Sequence, residues 1–407
     1  MSAPTLRFGE GGGLSHADAR RCGEWEKKQF SKVFSFLRNN TLSRDRLSQS
    51  SGSVKNIHYG DILVVFPSLI DPAAPIVPFV ADERDVRGQT RLRPGDVVIA
   101  DTAEDETVGR AVEITGGDSL DVVAGLHTMP CRPADTFASG FLGYSLNSPG
   151  FHDQLLPLIQ GSKVSSISKG AIGDVFIRYP AALHEQRKIG SFFRSLDALI
   201  DGREKALGKL EALKKAMLQK MFPQGDAKMP EVRFKGFKGE WNISPFDDVF
   251  QHVPSKGYQI QSHEYLDVGL YPVVDQGQTS IVGYSNNSDK ICRAKNNPVI
   301  VFGDHTRIVK FVDFDFVVGA DGTQLLRAAA HDLSFLAEVI RGLPLPNMGY
   351  SRHFKFLQES VFRLPSLPEQ QKIGAYFRSL DALVIARREE VCKLRDLKKA
   401  LLERMFA

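Results

Sequence analysis

Cysteine is scarce: Cys22, Cys131, Cys292 and Cys392 are the four in 407 residues, and no two form a CxxC pair. Such scatter excludes a disulfide framework and a zinc cluster, leaving ordinary reduced thiols. No apolar run is long enough to cross a bilayer, so no membrane role is expected. Met1 to Gly13 lacks the basic-then-apolar stretch of a secretory signal, which points to the cytoplasm. A large excess of one charge is also missing: the net value of +4 permits binding to a polyanion without requiring it. No GxxxxGK followed by Ser or Thr is present, and Gly9-Glu10-Gly11-Gly12-Gly13 follows no βα pattern, so no site for nucleotide hydrolysis is expected. A methyltransferase acting on base amino groups would carry an Asn- or Asp-Pro-Pro-aromatic block, and the nearest string, Asn296-Asn297-Pro298-Val299, fails that pattern. The sequence therefore predicts no catalytic residue, no cofactor site and no metal site.

What the chain does have is an internal repeat. The 39 residues from His184 to Phe222 recur from Pro368 to Phe406 without a gap and with 22 identities. The shared block Phe-Arg-Ser-Leu-Asp-Ala-Leu starts at Phe193 and again at Phe377, and both copies close on Met-Phe, Met221-Phe222 and Met405-Phe406. A weaker echo lies upstream of each copy, where Gly23-Glu24-Trp25, Phe30 and Val33-Phe34 match Gly239-Glu240-Trp241, Phe246 and Val249-Phe250. Between these bookends the two inserts share almost nothing in sequence. A duplicated frame around divergent contents suits a bipartite reader, in which the frame fixes geometry and each insert acquires its own target. Neutral drift would erode frame and insert together.

Each repeat reads as a long helix. Apolar residues fall at Ile189, Phe193, Leu196, Ile200, Leu207, Leu210, Met217 and Met221, and at identical offsets at Ile373, Phe377, Leu380, Val384, Val391, Leu394, Leu401 and Met405. Steps of three, four and seven make a coiled-coil seam, and the two seams can pack on each other as an antiparallel pair. A helix of this length is a rod of roughly 55 Å. Pro223 and Gly225 should end the first helix near Phe222. Arg203 and Arg387 interrupt the seams at one offset. Either they meet in a polar layer neutralised by Glu204, Glu389 or Glu390, or they snorkel to the rim.

The inserts are rich in Val, Ile, Phe and Gly with short polar breaks. Tyr59 to Phe66 and Arg93 to Ala100 read as glycine-aspartate turns entering β-strands, as do Asn297 to Arg307 and Phe311 to Gly319. The expected class is α+β: two β-rich domains, residues 1–183 and 223–367, separated by two long antiparallel coiled-coil helices, 184–222 and 368–407, in a pseudo-twofold repeat. Ahead of each helix, Val164-Ser165-Ser166-Ile167-Ser168-Lys169 aligns with Tyr350-Ser351-Arg352-His353-Phe354-Lys355, keeping Ser165 with Ser351 and Lys169 with Lys355. Small hydroxyls and bases there suit phosphate contacts, as they equally suit a solvated turn. The candidate contact residues are Lys163, Ser165, Ser166 and Lys169 in the first insert. In the second they are Gln276, Gln278, His305, Thr306, Arg307, Tyr350, Ser351, Arg352 and Lys355. Gly303-Asp304-His305-Thr306-Arg307 sets a carboxylate beside an imidazole, yet no further ligand stands at metal spacing, so a contact loop is the better reading and Asp304 caps or closes the turn. The two helices carry eighteen basic and eleven acidic residues, leaving −3 on the remainder. Any polyanion contact by the inserts must therefore use a local basic face such as Arg307, Lys310, Arg352 and Lys355.

Glu185-Gln186 and Glu369-Gln370 opening the repeats, the Phe-Arg-Ser-Leu-Asp-Ala-Leu blocks and the Gly-Asp-His-Thr-Arg string together resemble type I restriction-modification specificity subunits, over nearly the whole chain. The resemblance implies two target-recognition domains, each reading one half of a split double-stranded DNA site, with the paired helices setting the spacer. It also implies two methyltransferase subunits, which bring S-adenosylmethionine, and ATP-driven restriction subunits as partners. The stretch Gly9 to Cys22 departs from the second half, where the chain runs directly from Arg233-Phe234 to Trp241. The alternatives are a stand-alone specificity module of another restriction class and a scaffold whose inserts bind proteins.

Overall fold

A computed structural model of the chain describes residues 23–116, 121–161, 163–347, 349 and 351–406. The Gly9 to Cys22 stretch lies outside them. Contacts divide the chain into two units, Met1–Arg203 with Val391–Ala407, and Glu204–Glu390.

The first unit contains β1 (Trp25–Gln29), β2 (Phe34–Phe36), β3 (Val54–Ile57), α1 (Tyr59–Val64), β4 (Val97–Ala100), β5 (Ala111–Ile114), β6 (Asp121–Ala124), β7 (Thr128–Pro133), α2 (Lys169–Asp174) and β8 (Phe176–Pro180), followed by α3 (Leu183–Lys220). A five-stranded sheet runs β2-β7-β4-β5 and ends on Leu69–Ile70. A second sheet holds β6 parallel to β3, with Phe79–Val80 and Leu47–Ser48 beyond. The run Val97-Val98-Ile99-Ala100 is buried at every position because β4 lies inside its sheet with both faces covered, the setting in which a continuous β-branched run is stable.

The expectation of a strand from Tyr59 to Phe66 is corrected: the segment is the helix α1. Its apolar run is short enough to fit either period, and local hydrogen bonds decide. His58 Nδ1 accepts the Gly60 N–H at 3.2 Å at the start, and Arg110 Nη1 donates to Leu63 O at 2.5 Å at the end.

The second unit contains β9 (Asn242–Pro245), β10 (Gln251–Val253), β11 (Tyr271–Val274), β12 (Val299–Gly303), β13 (Val309–Val312), β14 (Phe316–Val318), β15 (Thr323–Arg327), α4 (Leu333–Gly342), α5 (Phe354–Gln358) and β16 (Val361–Leu364), with α6 (Leu367–Phe406) after it. One sheet runs β10-β15-β12-β13; the other pairs β11 parallel to β14, between Gly283–Ser285 and Ile291–Cys292. The order β10-β15-β12-β13 matches β2-β7-β4-β5 of the first unit, and the parallel pair β11 and β14 matches β3 and β6. Leu69–Ile70 in the first unit and Ile291–Cys292 in the second are strands without a counterpart. The register of the shared strands agrees. Thr128 stands opposite Ala100, and Thr323 opposite Gly303. In both units the threonine is buried and its hydroxyl turns back to a main-chain carbonyl, Gly125 O at 2.6 Å and Ala320 O at 3.2 Å. The two inserts therefore share a framework that their sequences do not display.

The repeats form helices of 38 and 40 residues, α3 and α6, about 57 and 60 Å long at 1.5 Å per residue. The first stops at Lys220, two residues before the expected end, and the second begins at Leu367 with Pro368 in its first turn, where a missing N–H costs nothing. Within the first unit the start of α3 lies antiparallel to the end of α6: the Phe193 and Phe406 rings are 6.2 Å apart and Lys398 Nζ is 2.5 Å from Asp197. Within the second the end of α3 lies antiparallel to the start of α6, with Phe222 and Phe377 rings 5.8 Å apart and Lys214 paired with Asp381. These are one contact set repeated at an offset of 184 residues. The seam residues Ile189, Phe193 and Leu196 belong to the core of the first unit, with Leu394 packed against it, and Ile373, Phe377 and Leu380 to that of the second, with Leu210 packed against it. The seam is thus continuous with the domain cores. Arg387 pairs with Glu390 at 2.6 Å, one of the carboxylates its sequence neighbourhood offered.

Candidate nucleic-acid interface

In both units, polar chain segments converge where the strands of the two sheets end. In the second unit the convergence is built on Asp304, the residue directly after β12 and only 3% exposed. Its N–H donates to Gly322 O at 2.7 Å, its carbonyl accepts the His353 N–H at 2.7 Å, and its Oδ1 accepts the Phe354 N–H at 2.8 Å. One buried carboxylate so ties the β12 tip to the start of α5, while the turn after β12 is closed by main-chain bonds, Arg307 N–H to Gly303 O and Gly303 N–H to Ile308 O, both at 2.8 Å. Among the described residues, no three His, Cys, Asp or Glu side chains converge as metal ligands.

Several sequence-named candidates meet around this anchor. Gln276, just past β11, receives the His305 N–H on Oε1 at 3.1 Å and donates from Nε2 to Asp321 O at 2.8 Å. Thr306 donates its hydroxyl to Gln276 O at 2.6 Å, and His305 Nδ1 lies 3.2 Å from Ser351 O. Gln276 and Thr306 thus brace the tip. Gln278, Thr306, Arg352 and Lys355 are exposed, with Lys355 Nζ 3.7 Å from Glu359. Tyr350 lies outside the described residues. Arg307 holds a left-handed backbone, φ 61°, and donates from Nη1 to Leu345 O at 3.1 Å. Such a conformation costs a non-glycine residue of order 1 kcal/mol and persists only where neighbours impose it.

Lys310 departs from the expectation of a basic face. Its side chain is 11% exposed and donates to Asp275 O at 2.8 Å and Thr279 O at 2.6 Å, beneath the Gln276 loop. Burial lowers its pKa from the usual lysine value.

The first unit repeats the arrangement with other side chains. Asp101 follows β4 as Asp304 follows β12; its N–H donates to His127 O at 3.1 Å and its carbonyl accepts the Ile167 N–H at 2.9 Å. His127, φ 52°, occupies the place of Gly322, φ 86°. A Cβ on Gly322 would lie 2.5 Å from Gln276 Nε2 and 2.7 Å from His305, so only glycine lets those two side chains close over it. Ser165 and Ser166 pair with Ala103 and Thr102, which places two candidates beside the tip. Lys163, Ser166 and Lys169 are exposed, Lys169 lying 5.8 Å from the Phe36 ring centre.

Three residues at this tip escaped the sequence reading. Thr102 Oγ1 lies 3.4 Å from His127 Nδ1, and Tyr59, on α1, meets the His127 ring edge-on with centroids 5.2 Å apart. Beneath them His58 is buried, and burial lowers its pKa, favouring the neutral ring. The available signal was the echo of Ile99-Ala100-Asp101-Thr102 in Phe302-Gly303-Asp304-His305, too short to align without the strands.

No family model matches the chain. A stretch of 109 residues is 30% identical to the EcoR124I/EcoR124II type I restriction enzyme specificity subunit of Escherichia coli, and it spans 27% of this chain and 26% of that protein. The type I restriction-modification S subunit from M. genitalium is similar in structure with a TM-score of 0.66 at 12% identity, covering 100% of this chain and 99% of that one. A chain from a structure of complex assembly and conformational transition in the type I R-M system gives 0.54 at 18% identity, covering 94% and 97%. The chain has the fold of type I specificity subunits, with two β-rich domains and long helices. Among the described residues no helix is long and apolar enough to cross a membrane.

Proposed function

We propose that the chain is the DNA-reading subunit of a type I restriction-modification complex, each unit recognising one half of a bipartite double-stranded site. The long helices set the spacer between the halves and dock the methyltransferase subunits, two per complex; restriction subunits complete the assembly. Methyl transfer and cleavage belong to those partners, this chain is non-catalytic and holds no cofactor, and it works in the cytoplasm.

One observation carries the reading: a single strand framework occurs twice and ends in unlike polar tips. Buried strands and the Thr128 and Thr323 turns fix the platform, while Tyr59, Thr102 and His127 in one unit stand where Gln276, His305 and Gly322 stand in the other. Side chains that differ on a constant platform are what discrimination between base-pair edges requires. The exposed Lys163, Lys169, Arg352 and Lys355 suit phosphates, whose contacts hold register without reading sequence. The sequence likeness to the Escherichia coli specificity subunit supports the same conclusion.

The test is an exchange of tips. Replacing Asp275–Thr279 and Asp304–Ile308 with the corresponding segments of a different specificity subunit should change one half of the methylated motif and leave the other half as it was. A motif unchanged in both halves removes the proposal.

A further inference from the structure

The second unit's buried lysine has a counterpart in the first unit that differs in residue type and in sequence context. Arg110 immediately precedes β5 and stands opposite Ala100, since the Ala100 N–H donates to Arg110 O at 2.9 Å. Lys310 is the second residue of β13, the matching strand, opposite Val301. With Ala100 matched to Gly303 through the threonine register, Arg110 corresponds to Ile308. Lys310 is therefore two residues further along, on the same face of the strand.

From that face each cation reaches the chain segment that follows the parallel strand of the second sheet. Arg110 donates from Nη1 to Leu63 O at 2.5 Å and from Nη2 to Phe66 O at 3.2 Å, closing the carbonyl end of α1. Lys310 donates to Asp275 O and Thr279 O, bridging the two ends of the loop after β11. The held segments are unlike, a helix carrying Tyr59 and a loop carrying Gln276 and Gln278. Each nevertheless supplies side chains to its unit's tip, and each is tied through two main-chain carbonyls. Apart from Asp275, whose carboxylate lies 3.6 Å from Lys310 Nζ, main-chain anchoring leaves the side chains of the segment open to change, as a reader that evolves new targets needs. A half-buried cation is an expensive way to fill space, because burial disfavours its charge. In both residues burial lowers the pKa. Ile62 on α1 and Phe66 just past it pack the inner face into the core while Val64 is 83% exposed, so packing fixes that face and Arg110 adds the polar closure of the carbonyl end.

We propose that Arg110 and Lys310 are positioning residues for sequence discrimination, each holding the reading segment of its own unit in the shape that meets base edges. The inference rests on the DNA-reading function above. It sets these two, which touch no DNA and govern which bases are accepted, apart from the exposed cations that meet phosphates.

The full chain, purified with the methyltransferase polypeptides that accompany it, is used to select sites from a random-sequence duplex library. Arg110→Met should lower discrimination in one half-site by about ten-fold, the value of one base pair read wrongly. Lys310→Met should do so in the other half-site only. Binding to duplex lacking the motif should stay unchanged in strength and salt dependence, which a general loss of structure would not allow. Circular dichroism monitors folding. If a Met variant does not fold, Arg110→Lys or Lys310→Arg is read in its place, with a smaller loss confined to the same half-site. Equal loss in both half-sites, or none, overturns the proposal. If the unaltered chain selects no bipartite motif, the DNA-reading function itself fails; if it selects one and the variants select the same one, only the positioning role fails.

Discussion

Removing the Asp304 carboxylate should blind one unit and spare the other. Asp304→Ala leaves the framework strand β12 in place and deletes the acceptor that the buried Phe354 N–H reaches at 2.8 Å. A hydrogen bond to a charged group contributes about 1.5–3 kcal/mol, and an orphaned buried donor costs a similar amount. If that energy holds Ser351 and His305 in place, the variant loses a factor of roughly 10 to 150 in affinity for the half-site the second unit reads, at about 1.4 kcal/mol per decade. Asp304→Asn keeps an acceptor at the same place and should lose less than a factor of ten. The assay is competition binding with duplexes altered in one half-site at a time, alongside hydrogen exchange across Ser351 to Gln358. Discrimination should fall for one half-site, and exchange should rise only in that segment. If the alanine and asparagine variants behave alike, or exchange rises while both half-sites are read as before, the tip is not organised by this carboxylate.

Deleting seven residues from each helix, Asp201 to Leu207 and Ile385 to Val391, keeps the seam in phase within about 20° and shortens each by about 10.5 Å. The methylated motif should then lose about three base pairs of spacer at 3.4 Å each, and methylome sequencing that finds the original spacer refutes the ruler. Glu113 is buried, accepts the Gly140 and Gly143 N–H groups at 2.6 and 2.8 Å, and has its pKa raised by burial. A carboxyl whose folded value exceeds its unfolded one stabilises fully below the unfolded value, and this is lost as pH rises through the folded value. Thermal unfolding of Glu113→Gln across that range should therefore show a flatter pH dependence; an identical slope counts against the assignment. Phe406 packs its ring against Trp25, Phe141 and Phe193, so Phe406→Ala should destabilise the first unit by about 3–5 kcal/mol. Hydrogen exchange that loosens both units equally would contradict that localisation.

The helices were legible because a seam needs only spacing and the repeat supplied it twice; the ends moved by a residue or two where Pro223 and Pro368 act. The strands Val97–Ala100 and Val299–Gly303 were legible from their β-branched runs. Helix α1 was not, since six residues of mixed apolar character carry no decisive period and His58 and Arg110 settle the matter from outside them. The common topology of the inserts was hidden for a related reason: a framework needs only that buried positions be apolar, which many sequences satisfy. The sequence-named candidates that the structure brings together are those where unusual groups already cluster, as in Gly303 to Arg307. Tyr59, Thr102 and His127 come together from three separate segments, and Lys310 looks like any surface lysine until the strand that buries it is known.

The first unit draws its last residues, Val391 onwards, from beyond the whole of the second unit. During translation this imposes a waiting time. At about 5–20 residues per second, the 187 residues of Glu204 to Glu390 keep the ribosome occupied for roughly 10 to 40 s. Throughout that interval Phe193 and Trp25 lack the ring of Phe406. The second unit, drawn from one uninterrupted stretch, can finish on the nascent chain first. A chaperone that shelters apolar surface would accordingly be needed most by the part of the protein that is made earliest.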